Sequence, residues 1–216
     1  MKVFSRTIGL ALLMLLLPLG VMAQDRFVKA VAQADFMLGA GSSFDFGGGV
    51  NLGKNDHRIN AMVTINYGKY SVSETEDDNS YSSSDAMAME VEYSRILVPV
   101  EVYYRLLDDD GSCFFGGVGA VYNLNMSGKL LPISGEATPI LLTDGLNPHS
   151  IAARICAGMA LGWKTNQQLG IKAFLDINVT SPLKKYSISD RLFEYVGPIE
   201  KAFNRTHLGL AAYYTF

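Results

Sequence analysis

The 216-residue chain has only two cysteines and three histidines, and Cys113, Cys156, His57, His149 and His207 form no close-spaced Cys or His pair of ligand type. Zinc ligands come in close-spaced pairs, so this scatter argues against a metal site. Basic charge is thin as well: 18 Lys and Arg face 21 Asp and Glu, for a net charge of −3. Nucleic-acid binders carry the opposite imbalance, usually as a basic patch, and no nucleic-acid partner is expected. Beyond the N-terminus no apolar run approaches the roughly 20 residues of a membrane-spanning helix. Yet 49% of the residues are hydrophobic. That apolarity has to be arranged in some way other than long helices.

The N-terminus is the exception. Lys2 and Arg6 precede an apolar run from Ile8 to Leu19, and Val21-Met22-Ala23 offers small or apolar residues before a cut. This is the layout of a secretory signal peptide, here residues 1–23, followed by a mature domain over 24–216. Gln24 rather than Cys follows the expected cut, which argues against a lipid anchor. Export would place the cysteines in an oxidising compartment. The strand layout below puts them near opposite ends of neighbouring strands, too far apart for a disulfide, so they are expected to be free thiols facing a lumen.

Period-two segments punctuated by Gly, Asp, Asn and Ser give eight strands, at 30–41, 45–53, 58–72, 87–107, 113–126, 151–164, 169–180 and 205–216. Short turns at 54–57, 108–112 and 165–168 alternate with longer connections at 73–86, 127–150 and 181–204, and with a short one near Gly41 to Phe44. Strands of even number with short turns on one side and long loops on the other are the plan of an all-β, eight-stranded, antiparallel up-and-down transmembrane β-barrel. Both termini then fall on the short-turn side.

Alternation sorts the side chains into two faces. In IAARICAGMALGWK, Ile151, Ala153, Ile155, Ala157, Met159, Leu161 and Trp163 share one face, opposite Arg154, Cys156, Gly158, Gly162 and Lys164. Arg95, Glu101, Arg105, Arg154, Lys172, Asp176, Arg205 and His207 all fall on the face that also carries Gly117, Gly119, Gly158, Gly170 and Gly209. The interior of an eight-stranded barrel is only wide enough for side chains to fill, and small residues beside long charged ones suit that crowding. On a soluble exterior, so many strand glycines would weaken the sheet for no packing return. Charges inside can pair with one another, whereas a Lys or Arg facing lipid near the midplane costs about 2–4 kcal/mol. The aliphatic face is therefore read as lipid-facing. Tyr67, Tyr104, Phe114, Trp163, Tyr214 and Phe216 are outward by parity, as interfacial girdles require.

The closing alternation that ends in Tyr214-Thr215-Phe216 resembles the terminal strand of Gram-negative outer-membrane proteins. That resemblance implies that Tyr214 and Phe216 belong to a signal read by the barrel-assembly machinery. In layout the chain is similar to small outer-membrane β-barrel families, including PorT-like barrels of Bacteroidetes, and EYSRILVPVEVYYRL resembles a central strand of that group. The likeness implies an outer-membrane location and, for PorT-like barrels, a place in a protein-secretion or envelope-biogenesis assembly.

Open diffusion channels take about 16 strands, so a filled eight-stranded lumen argues against a porin. A lipid A-modifying hydrolase would need a hydroxyl nucleophile near a histidine and a carboxylate. His207 points inward, but the position two residues on is Gly209, where such a deacylase is expected to carry Ser. The acidic loop with Glu74, Glu76, Asp77, Asp78 and Asp85 does not match an EF-hand spacing and reads as a solvated external loop. The loop 127–150 holds Leu130, Leu131, Ile133, Ile140, Leu141 and Leu142, too apolar for free solvent: either it folds over the barrel mouth as a lid or it offers a patch to a partner. Lys184 and Lys185, near the outer interface, are placed to contact lipopolysaccharide phosphates. The expectation is a non-enzymatic barrel without cofactor or metal. Its partners would be outer-membrane lipid, lipopolysaccharide or another outer-membrane protein, met through external loops.

Overall fold

The computed structural model describes residues 28–38, 41–53, 58–74, 89–107, 112–132, 140–141, 146–164, 167–182 and 206–216. The strands are β1 Val28–Leu38, β2 Gly41–Leu52, β3 Ile59–Glu74, β4 Met89–Leu107, β5 Cys113–Pro132, β6 Ile140–Leu141, β7 His149–Lys164, β8 Gln167–Asn178 and β9 Thr206–Thr215. Every pairing is antiparallel, the order is β4-β3-β2-β1-β9-β8-β7-β5, and a β4–β5 pairing closes the circle. The fold is a closed eight-stranded up-and-down barrel, to which β6 adds a short outer extension. Closure removes the open edges that would otherwise leave unpaired backbone groups.

Inside and outside are reversed relative to a water-soluble protein. Phe36, Phe46, Val100, Val118, Ile155, Ile171 and Leu210 are exposed on the exterior, while Asp35, Asp45, Arg95, Glu101, Arg154, Lys172 and Asp176 are buried within. Burying ions while exposing a continuous aliphatic belt suits a surround that is itself hydrocarbon. Among the described residues, no helix is long and apolar enough to cross a membrane. The exterior turns polar at the long-loop end. There Lys69 pairs with Glu92 at 2.8 Å, Ser71 bonds Glu90, and Lys129 stands opposite Glu92. Tyr67, one outward position below Lys69, and Tyr122 on β5 sit at that boundary, both exposed, as aromatic belts do.

Strands β3, β4 and β5 rise above the rest of the wall. The β2–β3 ladder ends at Gly41 opposite Val72, but β3–β4 continues to Glu74 opposite Met89, and β4–β5 continues to Met89 opposite Pro132. The β5–β7 ladder stops at Leu124 opposite His149. A register shift at Ser94/Arg95 accommodates this rise: Met126 and Ser127 both face outward and Gly128 returns inward. One extra residue keeps the alternation in phase above and below it.

Several boundaries therefore differ from the sequence reading. The fifth strand runs to Pro132 rather than 126, and part of the stretch taken as the loop 127–150 is strand. The first strand is Val28–Leu38 rather than 30–41, the second begins at Gly41 so that the expected connection near Gly41 to Phe44 is strand, and the connection before the last strand begins after Asn178 rather than 180. Gln168, taken as a turn residue, lies inside β8 and is buried. Cys113 and Cys156 are free and buried, but Cys156 is mid-strand, opposite Gly117, with Cys113 opposite Ala160 four rungs away. The signal segment 1–23 and the acidic loop beyond Glu74 lie outside the described residues.

Gly49 shows how tightly β2 and β3 approach. A Cβ there would lie 1.9 Å from the Val63 carbonyl oxygen and 2.6 Å from the Thr64 Cα. Both are backbone, so the strand itself would have to shift. Gly49→Ala is expected to lower stability by about 1–3 kcal/mol, the range for overpacking, read as a lower urea midpoint for loss of the folded gel band.

Candidate functional site

Antiparallel register places Arg154 of β7 directly opposite Asp176 of β8. Their side chains form a two-pronged pair, with Nε donating to Oδ1 at 2.6 Å and Nη2 donating to Oδ2 at 2.7 Å. Such bidentate pairs are among the stronger charge-assisted contacts. The same guanidinium reaches across the lumen: Nη1 lies 3.3 Å from Glu101 of β4 and 4.0 Å from Asp35 of β1. It also stacks over the Phe174 ring at 3.9 Å.

Lys172 is the second central cation. Its Nζ donates to Glu101 at 2.6 Å, to the Tyr103 hydroxyl at 3.2 Å and to Gln33 at 3.4 Å. Tyr103 in turn donates to Glu101. Asp35 accepts from Gln33 at 2.7 Å and from Asn66 at 3.0 Å. Strands β1, β3, β4, β7 and β8 are thus tied through the barrel centre and not only around its wall. Buried charges persist when partners of this kind meet them.

Above this layer, Arg95 donates to Asp45 at 2.9 Å and Ser43 at 2.8 Å, with its guanidinium 5.0 Å from the Tyr70 ring centre. His207 of β9 faces Tyr70 through Nδ1 at 3.2 Å and Asn178 through Nε2 at 3.3 Å. The space at Gly209 is taken: a Cβ there would lie 2.2 Å from the Phe174 Cζ. A serine at that position would meet the ring. Below the centre, Arg105 donates through Nε to the Cys113 sulfur at 3.2 Å, and the buried Lys29 lies in the same end of the lumen. Arg205, Lys184 and Lys185 lie outside the described residues.

Small cavities remain at the two ends. One, of about 10 Å³, is lined by Asn51, Asn60, Arg105, Gln168 and Tyr213 among others; another of about 10 Å³ includes Arg95, Asn123, Ser150, Asp176 and His207. Each has room for about one water molecule. The layer holding Arg154, Glu101 and Lys172 separates them. At the C-terminus, Tyr214 and Phe216 pack edge to face at 4.9 Å, and the Phe216 N–H donates to the Ala30 carbonyl at 3.0 Å. The chain's last residue is thereby fastened to β1 beside the closing β1–β9 seam.

No family model and no curated protein matches the chain. Among solved structures it is similar to Neisserial surface protein A, at 10% identity over 88% of this chain and 94% of that one, with a TM-score of 0.46. It is also similar to a major outer membrane protein from Thermus thermophilus, at 14% identity over 88% and 99%, with a TM-score of 0.45. A third is Ail, the attachment invasion locus protein of Yersinia pestis, in complex with a heparin analogue, at 11% identity over 88% and 97%, with a TM-score of 0.36. Identities and scores of this size carry nothing about ligand or role. The fold stands on the strand pairing itself.

Several members of the buried network were missed in the sequence. Gln33, Asp35, Ser43, Asp45 and Asn66 all contribute to it. Parity in QADF and SFDF places Asp35 and Asp45 opposite Phe36, Phe44 and Phe46, so the inward direction was available. Their cross-lumen partners were not, because Asn66 to Asp35 and Arg95 to Asp45 join strands that are not neighbours.

Proposed function

We propose that the protein is a non-enzymatic outer-membrane β-barrel with a closed lumen, acting through its external loops on lipopolysaccharide, another outer-membrane protein or an external ligand. One observation carries this reading: an ion-braced, filled interior sits inside an apolar exterior belt. A filled centre supports a structural or contact role over solute passage, and leaves the long-loop end as the surface free to vary. Tyr214 and Phe216, on the exterior at the closing seam, suit recognition by the barrel-assembly machinery during insertion. The apolar belt and the signal-like segment 1–23 support outer-membrane location after export.

The test is fractionation of cells making the full chain, followed by gel migration of the membrane fraction with and without boiling. Recovery in the outer membrane with faster migration of the unboiled form is expected. Recovery as a soluble periplasmic protein with no shift would overturn the reading. Partners that stay bound in fixed ratio through mild extraction would move the role toward an accessory subunit of a secretion or envelope-biogenesis assembly, which the resemblance to PorT-like barrels suggests.

A further inference from the structure

At the long-loop end, the described segments that flank β7 and β8 meet one another. Residues 179–182 leave β8 and are fastened to β7: the Val179 and Thr180 N–H groups donate to the Ile151 carbonyl at 2.9 and 3.1 Å, and the Thr180 hydroxyl accepts from the Ile151 N–H at 2.7 Å. Residues 146–148 come down into β7 and meet that segment through Asn147. Its backbone N–H donates to the Pro182 carbonyl at 2.7 Å, and its side-chain Nδ2 donates to the Ser181 carbonyl at 2.7 Å. The Asn147 carbonyl accepts from Asn125 Nδ2 at 2.7 Å, and the Asn125 N–H donates to the Pro148 carbonyl at 2.9 Å. Leu146 and Pro182 are buried.

Directly beneath lies the outer cavity, with Pro182 in its lining together with Asn123, Ser150, Asn178 and His207. Asn123 is buried, and its side-chain oxygen has no hydrogen-bond partner among the described residues. A buried carbonyl in a polar cavity of this size calls for a donor, which a water supplies. Among the described residues, Asn147 joins the two segments at the outer end of this cavity, whereas the layer below it is braced by charge.

We propose that Asn147 is a clasp: it closes the outer mouth over a hydrated chamber, and its release opens the upper lumen to small polar solutes while the Arg154 layer stays shut. The proposal rests on the orientation given above, with the long loops outside. In the loop 127–150 it assigns the closing part to Leu146–Pro148, whereas β5 and β6 carry the earlier part outward as a hairpin.

The experiment is thiol labelling of intact cells with a membrane-impermeant maleimide. Ser150→Cys places a near-isosteric thiol in the chamber, and the parent chain, whose own cysteines are buried, sets the background. Lys129→Cys, exposed on the outer wall, is the control for orientation. With Asn147 intact, Ser150→Cys should label at background rate. Asn147→Ala should raise that rate at least tenfold, and Asn147→Asp, which sets an acceptor against the Ser181 carbonyl, at least as much. Each variant is scored only in the fraction that keeps the heat-dependent gel shift, and the Asp variant, near the parent in size, carries the test if the Ala variant does not assemble. Unchanged rates in both variants would overturn the clasp. So would Ser150→Cys that labels as fast as Lys129→Cys with Asn147 intact. A silent Lys129→Cys would overturn the orientation, and the clasp with it.

Discussion

Arg154→Leu is expected to cost about 3–5 kcal/mol, the range for removing one partner of a buried ion pair. The side chain is fully buried and holds Asp176 at 2.6 Å, Glu101 at 3.3 Å and Asp35 at 4.0 Å. Without it, those carboxylates share the barrel centre with Lys172, whose ion pair goes to Glu101. The loss is set by the charge left behind more than by the contacts removed. Arg154→Lys keeps the charge but not the planar fork that grips both Asp176 oxygens, and should fall between Leu and the parent. The measurement is urea unfolding of the refolded barrel in lipid vesicles, followed by the unboiled gel band. Adding Asp176→Asn to Arg154→Leu removes one orphaned charge, so the double variant should lose less than the sum of the single ones. A coupling near the top of the roughly 0.5–3 kcal/mol span for contacting residues would fit a dry centre. A midpoint that Arg154→Leu leaves unmoved would mean that water solvates the centre and that the lumen is not sealed by charge.

The two faces were legible because a strand has a strict period of two. Ile155, Arg154 and Cys156 are sorted by parity alone, and the structure exposes the first and buries the others. Strand count followed from turn residues, and closure from an even number of strands with short turns on one side and long loops on the other. What parity could not supply is reach across the lumen. Glu101 meets Arg154 and Lys172, which are 53 and 71 residues away along the chain, and the stagger of the strands decides that meeting. Outer boundaries were misjudged for a related reason. LNMSGKLLP breaks strict alternation at Met126 and Ser127, and a bulge, invisible to a period-two reading, carries β5 onward to Pro132. Asn147 carried no signal at all in the sequence: it stands between Leu146 and Pro148 in a stretch read as loop, and its contacts come from the partner segment at Ser181 and Pro182.

The other large effect separates the two possible solvents. Ile155 lies mid-barrel on β7, opposite Val118 and Leu175, and is 54% exposed. In a water-soluble protein an exposed isoleucine replaced by arginine changes stability by no more than about 0.5 kcal/mol. In a bilayer the same change should cost about 2–4 kcal/mol, falling to about 0–1 near the interface. Ile155→Arg is therefore expected to lower the unfolding midpoint in vesicles strongly and to reduce the outer-membrane yield. Met126→Arg, on the same exterior but above the Tyr122 level, should be nearly silent. Depth dependence is the decisive readout, because a defect in core packing would not follow distance from the midplane, and both side chains point away from the core. Equal tolerance at the two positions would mean that water bathes the belt. Phe46, Ile155 and Leu210 would then be awaiting a cover of protein rather than lipid.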